Sequence, residues 1–181
     1  MTANLTTIVK SETREVMICK ELPTVIIGEC INPTGRKKLQ QELREGKFDI
    51  VRRDAIAQVE AGATILDVNA GVPGADEPAL LVQLIKVVRE VTDVPLCIDT
   101  ANAKALEAAL KVYKGKALVN SVNGEEGKLS TILPLIKEYG AAVIGLTLDD
   151  RGFRRQWENA SLLLERSSSG QPRWGFLSKT L

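Results

Sequence analysis

The sequence predicts an α/β fold, a partial TIM-type (β/α)8 barrel of about five βα units with a short N-terminal hairpin or arm. Three observations predict it. Short β-branched or aliphatic runs recur at 24–28, 64–68, 94–98, 117–119 and 142–147, separated by stretches with helical spacing. Polar residues follow directly on these runs: Asp67 and Asn69, Asp99 and Asn102, Asn120 and Asn123. In a parallel β/α barrel the strand exits share one face, so these separated residues converge on a single pocket. The segment after the first run, Gly28-Glu29-Cys30-Ile31-Asn32-Pro33, is not a glycine-rich phosphate turn, which favours a barrel over a doubly wound dinucleotide-binding sheet.

The elements follow in order. Residues 5–22 alternate polar and apolar (Ile8, Val9, Val16, Met17, Ile18) and read as a hairpin or irregular arm that plugs or edges the barrel floor. After the first core strand, Ile50, Val51, Ala55, Ile56 and Val59 fall at helical spacing, and Gly62 stands where a helix stop is expected. The strand at 64–68 comes next. Residues 76–92 form a helix with Pro78 in its first turn, where a missing N–H is tolerated. The strand at 94–98 leads to an alanine-rich helix at 102–113, with Leu106, Ala109, Leu110 and Val112 facing in and Gly115 closing it. The strand at 117–119, a helix at 125–139 and the strand at 142–147 complete five strands and four intervening helices. The expected organisation is an arm at 1–23, a partial barrel at 24–152 and a tail at 153–181. That tail holds both tryptophans and the linker-like Ser167-Ser168-Ser169-Gly170-Gln171-Pro172; it has room for a short helix at 159–166 and shows no further βα pair. A full barrel takes about 250 residues, so this chain stops about three strands short.

Composition bounds the chemistry. The 181 residues, 44% hydrophobic and 26% charged, suit one soluble domain, and a net charge of +1 gives no case for nucleic acid or an acidic membrane surface. No apolar stretch approaches the roughly 18 residues that span a bilayer, and residues 1–10 lack a signal-peptide block, so the cytoplasm is the expected compartment. Cys19, Cys30 and Cys97 lack CxxC spacing, which argues against a disulfide framework or a structural zinc, and Cys97 reads as a small buried hydrophobe. Histidine is absent, which removes Ser-His and Cys-His hydrolase schemes and histidine-ligated metals. Chemistry here runs on carboxylates, amides or the ligand's own groups. Open sheet edges favour self-association, and a homodimer is among the expected assemblies.

Each candidate has a plainer reading. Asp67 and Asn102 suit helix N-caps, Asn123-Gly124 suits a turn, and Asn32-Pro33-Thr34-Gly35 reads as a turn on any account. Glu29 follows a wholly apolar strand and is better placed for the pocket than for a solvated loop. Arg36-Lys37-Lys38 reads as a solvated face, and Asp149 and Asp150 as loop charges.

Four strings in register on successive strands carry a resemblance: Val25-Ile26-Ile27-Gly28-Glu29-Cys30-Ile31-Asn32-Pro33-Thr34-Gly35-Arg36, Leu66-Asp67-Val68-Asn69-Ala70-Gly71, Cys97-Ile98-Asp99-Thr100-Ala101-Asn102 and Val119-Asn120-Ser121. Over roughly residues 12–152 the chain resembles pterin-binding barrels that transfer methyl groups from methyltetrahydrofolate to corrinoids, such as the folate domain of cobalamin-dependent methionine synthase. The resemblance implies a β/α barrel shared with dihydropteroate synthase, with 5-methyltetrahydrofolate as substrate lying across the strand exits. It implies a cobalamin or other corrinoid carried by a partner protein or domain. Asp67 and Asn102 match residues that hydrogen-bond the pterin's aminopyrimidine edge, Glu29 and Asn32 match polar residues of the same pocket, and Asn69, Asp99 and Asn120 match supporting positions. Methyl transfer from N5 needs that nitrogen protonated or strongly hydrogen-bonded, and a cobalt(I) nucleophile. The family's later Ile-Asp-Pro aspartate and N5 asparagine have no counterpart here, and the expected departure at about residue 152 reads as truncation or frameshift. A non-catalytic truncated product or binding subunit is therefore the alternative function. Dihydropteroate synthase ranks lower, because its Asn-Val-Thr-Pro-Asp-Ser-Phe-Ser opening is replaced here by Ile31-Asn32-Pro33-Thr34-Gly35-Arg36.

Overall fold

The computed structural model of the protein describes residues 6–146 and the backbone of three further two-residue strands. The elements are β1 (Thr7–Lys10), β2 (Glu15–Ile18), β3 (Ile27–Ile31), α1 (Lys37–Arg44), α2 (Asp49–Glu60), β4 (Ile65–Asn69), α3 (Glu77–Val91), β5 (Leu96–Asp99), α4 (Ala103–Val112), β6 (Leu118–Val122), α5 (Glu126–Glu138), β7 (Ala142–Gly145), β8 (Leu148–Asp149), β9 (Gly152–Phe153) and β10 (Leu177–Ser178). Strands β3 to β7 pair in chain order, each parallel to the next. This is the α/β fold of successive βα units that the alternating pattern predicts.

Period-2 alternation divides each strand between two apolar layers. Leu66 and Val68, Leu96 and Ile98, Val119 and Val143 face the helices and join the larger core with Leu81, Leu84, Ile85 and Leu106. Ile65, Cys97, Leu118 and Ala142 face the other way and form a second cluster with Val9, whose partly buried neighbours include Val16 and Ile18. The antiparallel β1–β2 hairpin therefore seals the inner face at the strand entrances, the floor position expected from residues 5–22. Lys10 exchanges two 2.9 Å backbone hydrogen bonds with Lys116. The Tyr113 hydroxyl, reaching from the end of α4, donates to the Lys10 carbonyl at 2.9 Å and accepts from the Leu96 N–H at 3.0 Å.

Three expectations need correction. Strands β3 to β6 extend further towards their exits than the apolar runs do, whereas β7, expected over 142–147, ends at Gly145: the run at 24–28 is observed as β3 (Ile27–Ile31), leaving Ile26 54% exposed, and β4, β5 and β6 end on or beyond Asn69, Asp99 and Asn120. Their last inward positions are polar, so hydrophobicity stops before the hydrogen-bond ladder does. Five helices, not four, lie between β3 and β7; the additional one, α1, buries only Leu39 and Leu43 in an otherwise polar stretch and so leaves no apolar stripe to read. Lys37 and Lys38 belong to that helix and are exposed. Finally, Leu177–Ser178 adds a short sixth strand parallel to β7, in a tail where no further βα pair is expected, and β8–β9 forms a small antiparallel ladder. The expectations for Thr147, for the side chains of Asp149 and Asp150, and for the rest of 153–181 lie outside the described residues. Among the described residues no helix is long and apolar enough to cross a membrane.

Candidate functional site

The inner face of the sheet changes character along its strands. Below, Ile65, Cys97, Leu118 and Ala142 pack on the hairpin. One step further along, the same alternation brings Asp67 on β4, Asp99 on β5 and Asn120 on β6 to that side, with Glu29 on β3 beside them. A polar layer thus caps an apolar one, as the strand-exit positions predict.

Asp67 is the centre of this layer. It is only 4% exposed, and one carboxylate oxygen accepts from Asn120 Nδ2 at 3.2 Å. Its pKa is pushed up to about 6, chiefly by burial. The negative charges of Asp99 and Glu29 add to the rise, while hydrogen bonds from Asn120 and Cys97 oppose it. Beside it, Asn69 Nδ2 donates to Asp99 Oδ2 at 2.9 Å, and Asn69 Oδ1 accepts the Gly71 N–H at 2.7 Å. Because Gly71 occupies the amide oxygen, the Asn69 nitrogen is directed at Asp99. A cleft of about 140 Å³ opens alongside, lined by Asp99, Thr100, Asn120, Ser121 and Lys128, with Ile132 as an apolar wall.

The remaining candidates are held in local structure. Asn32, half-buried past β3, accepts the Thr34 N–H at 2.9 Å and makes the expected turn. Arg36 fastens that loop: it donates to the Cys30 carbonyl and pairs with Asp54 of α2 at 2.6 Å. Two guanidinium groups, Arg53 and Arg36, bond the Asp54 carboxylate and hold its pKa below the usual value against the opposing effect of burial. Asn102 is the N-cap of α4, accepting from Lys104 N at 3.0 Å and Ala105 N at 3.4 Å. Asn123 is buried and turns onto Glu125, accepting its N–H and donating to its carboxylate.

Sequence reasoning missed several partners. Cys97 is fully buried as expected, yet its thiol also bonds Asp67. Gln58 of α2 accepts the Cys30 N–H at 2.7 Å and sits so close to Gly28 that a Cβ there would stand 2.6 Å from its oxygen. Glu77 accepts from the Thr100 hydroxyl at 2.5 Å and from Asn102 Nδ2 at 3.2 Å. Asp76-Glu77-Pro78 signals a helix start, but no local pattern says that Glu77 reaches into the next βα unit. Among the described residues no group of three or more His, Cys, Asp or Glu side chains is placed to hold a metal ion.

What this face can do is bind a planar, donor-rich heterocycle: a buried carboxylate accepts paired N–H groups, and amides set the neighbouring donors and acceptors. Comparison with known proteins points the same way. The model of the family described as pterin binding enzyme matches residues 28–165. A methylcorrinoid:tetrahydrofolate methyltransferase from Eubacterium limosum is 36% identical over 133 residues, covering 71% of this chain and 48% of that protein. The chain thus spans about half the length of that relative. Among solved structures, the 7,8-dihydropteroate synthase of Vibrio fischeri superposes with a TM-score of 0.61 at 19% identity, covering 95% of this chain and 65% of that one. The dihydropteroate synthase of Thermus thermophilus gives 0.60 at 22% identity, covering 95% and 64%. At such identities these structures speak for the fold alone.

Proposed function

The chain belongs to the pterin-binding enzyme family, and from that premise we propose that its strand-exit face binds the pterin ring of a reduced folate. The observation that carries the reading is the buried Asp67 carboxylate bonded to Asn120, beside the Asn69–Asp99 pair, on the inner face of the sheet. A pterin presents an exocyclic amino group and a ring N–H side by side, and a carboxylate accepts both in parallel. Asp67 performs that role. Asn120 and Asn69 hold the carboxylates in place, Glu29 and Asp99 line the rim, and Asn102 supplies an amide N–H at the exit of β5. Asn32 shapes the β3 loop.

The activity proposed for the whole protein is methyl transfer between N5 of the folate and a corrinoid carried by a partner protein. The corrinoid supplies the cobalt that gives or takes the methyl group; this chain holds the folate so that N5 faces outward. The E. limosum relative's name puts the methyl group first on the corrinoid, whereas the sequence motifs suggest 5-methyltetrahydrofolate as donor. One site serves both directions, because a proton reaches N5 as the methyl leaves and departs as it arrives.

Isothermal titration with tetrahydrofolate and with 5-methyltetrahydrofolate, together with a methyl-transfer assay on a supplied methylcorrinoid protein, tests the reading. Binding with turnover supports it in full, and binding without turnover leaves a folate-binding subunit. Absence of binding to either folate overturns it.

A further inference from the structure

We propose that Glu77, which belongs to the preceding βα unit, is a positioning residue for the pterin site and acts through Asn102. The inference rests on the folate reading of that site and adds a residue to it. Glu77 stands in the first turn of α3 and accepts two hydrogen bonds from the β5–α4 turn: Thr100 Oγ1 to Oε1 at 2.5 Å, and Asn102 Nδ2 to Oε2 at 3.2 Å. Thr100 Oγ1 in turn accepts the Asn102 backbone N–H at 3.0 Å. The three residues form a closed ring of hydrogen bonds, and Thr100 within it is only 5% exposed.

The ring constrains what Asn102 can offer a ligand. Its Oδ1 accepts from Lys104 and Ala105 at the start of α4, so the amide oxygen faces the helix. One of its two side-chain N–H bonds goes to Glu77. One N–H remains, and Asn102 therefore presents a single donor, which matches an acceptor atom of the ligand such as a ring nitrogen or carbonyl oxygen. Capping alone fixes which end of the amide faces the helix. Glu77 fixes the tilt of the amide about that anchor, and it clamps the turn that also carries Asp99. The sequence distance between Glu77 and Asn102 explains why the link is invisible before folding.

The test is a double-mutant cycle read by tetrahydrofolate affinity. Glu77→Ala is expected to weaken binding at least tenfold in the wild-type background. Glu77→Gln, which can accept from Asn102 and donate to Thr100, is expected to restore affinity to within threefold of wild type. In the background of Asn102→Ser, which keeps a capping oxygen but has no amide donor, Glu77→Ala should cost little further affinity. Thermal midpoints recorded alongside separate a purely structural role, which lowers stability but shows no rescue and no coupling to Asn102. Wild-type-like binding by Glu77→Ala, or equal losses in the two backgrounds, overturns the proposal while leaving the folate site standing. If the wild-type chain binds no folate, the parent reading fails, and the role proposed for Glu77 goes with it.

Discussion

Asn120 on β6 donates through Nδ2 to Asp67 on β4 across 3.2 Å, although β5 lies between their strands. Alternate strands of a flat sheet lie about 9.5 Å apart. The contact exists because the sheet curls inward, so that side chains of alternate strands meet inside it, as they do in the layers of a β/α barrel. Asp67 is left only 4% exposed, and burial is the leading cause of its raised pKa.

Ligand binding should depend on that carboxylate. In the proposed pterin site the ring N–H groups would donate to Asp67 and favour its ionised form, so tetrahydrofolate affinity is expected to fall as pH drops below about 6 and to level off above it. Asp67→Asn should weaken binding by about 1.5–3 kcal/mol, roughly ten- to hundredfold, and flatten the profile. Titration calorimetry across that range checks both; matching profiles for the two proteins would remove Asp67 from the site.

Stability without ligand should move in the opposite sense. The folded-state pKa of Asp67, about 6, lies above its ordinary value of 3.8. Between those values the folded protein holds the proton more tightly than the unfolded chain, so this group's contribution is present at low pH and is lost as pH rises through about 6. Asp67→Asn carries no such proton. Urea midpoints of the variant should therefore gain on wild type as pH climbs from about 4 to about 6, then run parallel. A constant difference across the range would contradict the assignment.

Tyr113→Phe tests the floor. It removes the hydroxyl that joins the Leu96 N–H to the Lys10 carbonyl. The Lys10 carbonyl keeps its bond from the Lys116 N–H, but leaving the Leu96 N–H unpaired should cost about 1–3 kcal/mol. Hydrogen exchange should accelerate at Leu96 first, and unchanged protection there would show that water replaces the hydroxyl without loss.

Gly115→Ala and Gly127→Ala should differ in sign. Gly115 has a φ of +133°, and a Cβ there would run into the Lys10 carbonyl, so alanine should be destabilising by about 1–3 kcal/mol and should loosen the hairpin. Gly127 lies within α5 with open space around it, and alanine should stabilise by about 0.5–1 kcal/mol. Thermal melts of the two variants decide it.

Most of the βα order was legible because parallel strands backed by helices leave strong periodicity: the buried faces of α3 and α4 are those that helical spacing marks. Strand ends were less legible, since Asp67, Asn69, Asp99 and Asn120 continue the ladder after the apolar run has stopped. Helix α1 was lost because Leu39 and Leu43 are too few to show a stripe.

The candidate residues themselves stand in the sequence, since polar groups at strand ends with a shared period already name Glu29, Asp67, Asp99 and Asn120. What only the tertiary structure decided is which of them meet. Curvature joins Asp67 to Asn120, Cys97 adds its thiol beneath them, and Glu77 reaches from one βα unit to Asn102 of the next. Periodicity reports which side of its own strand or helix a residue faces. Distances between side chains on different elements depend on strand tilt and sheet closure, which arise only when the whole layer packs.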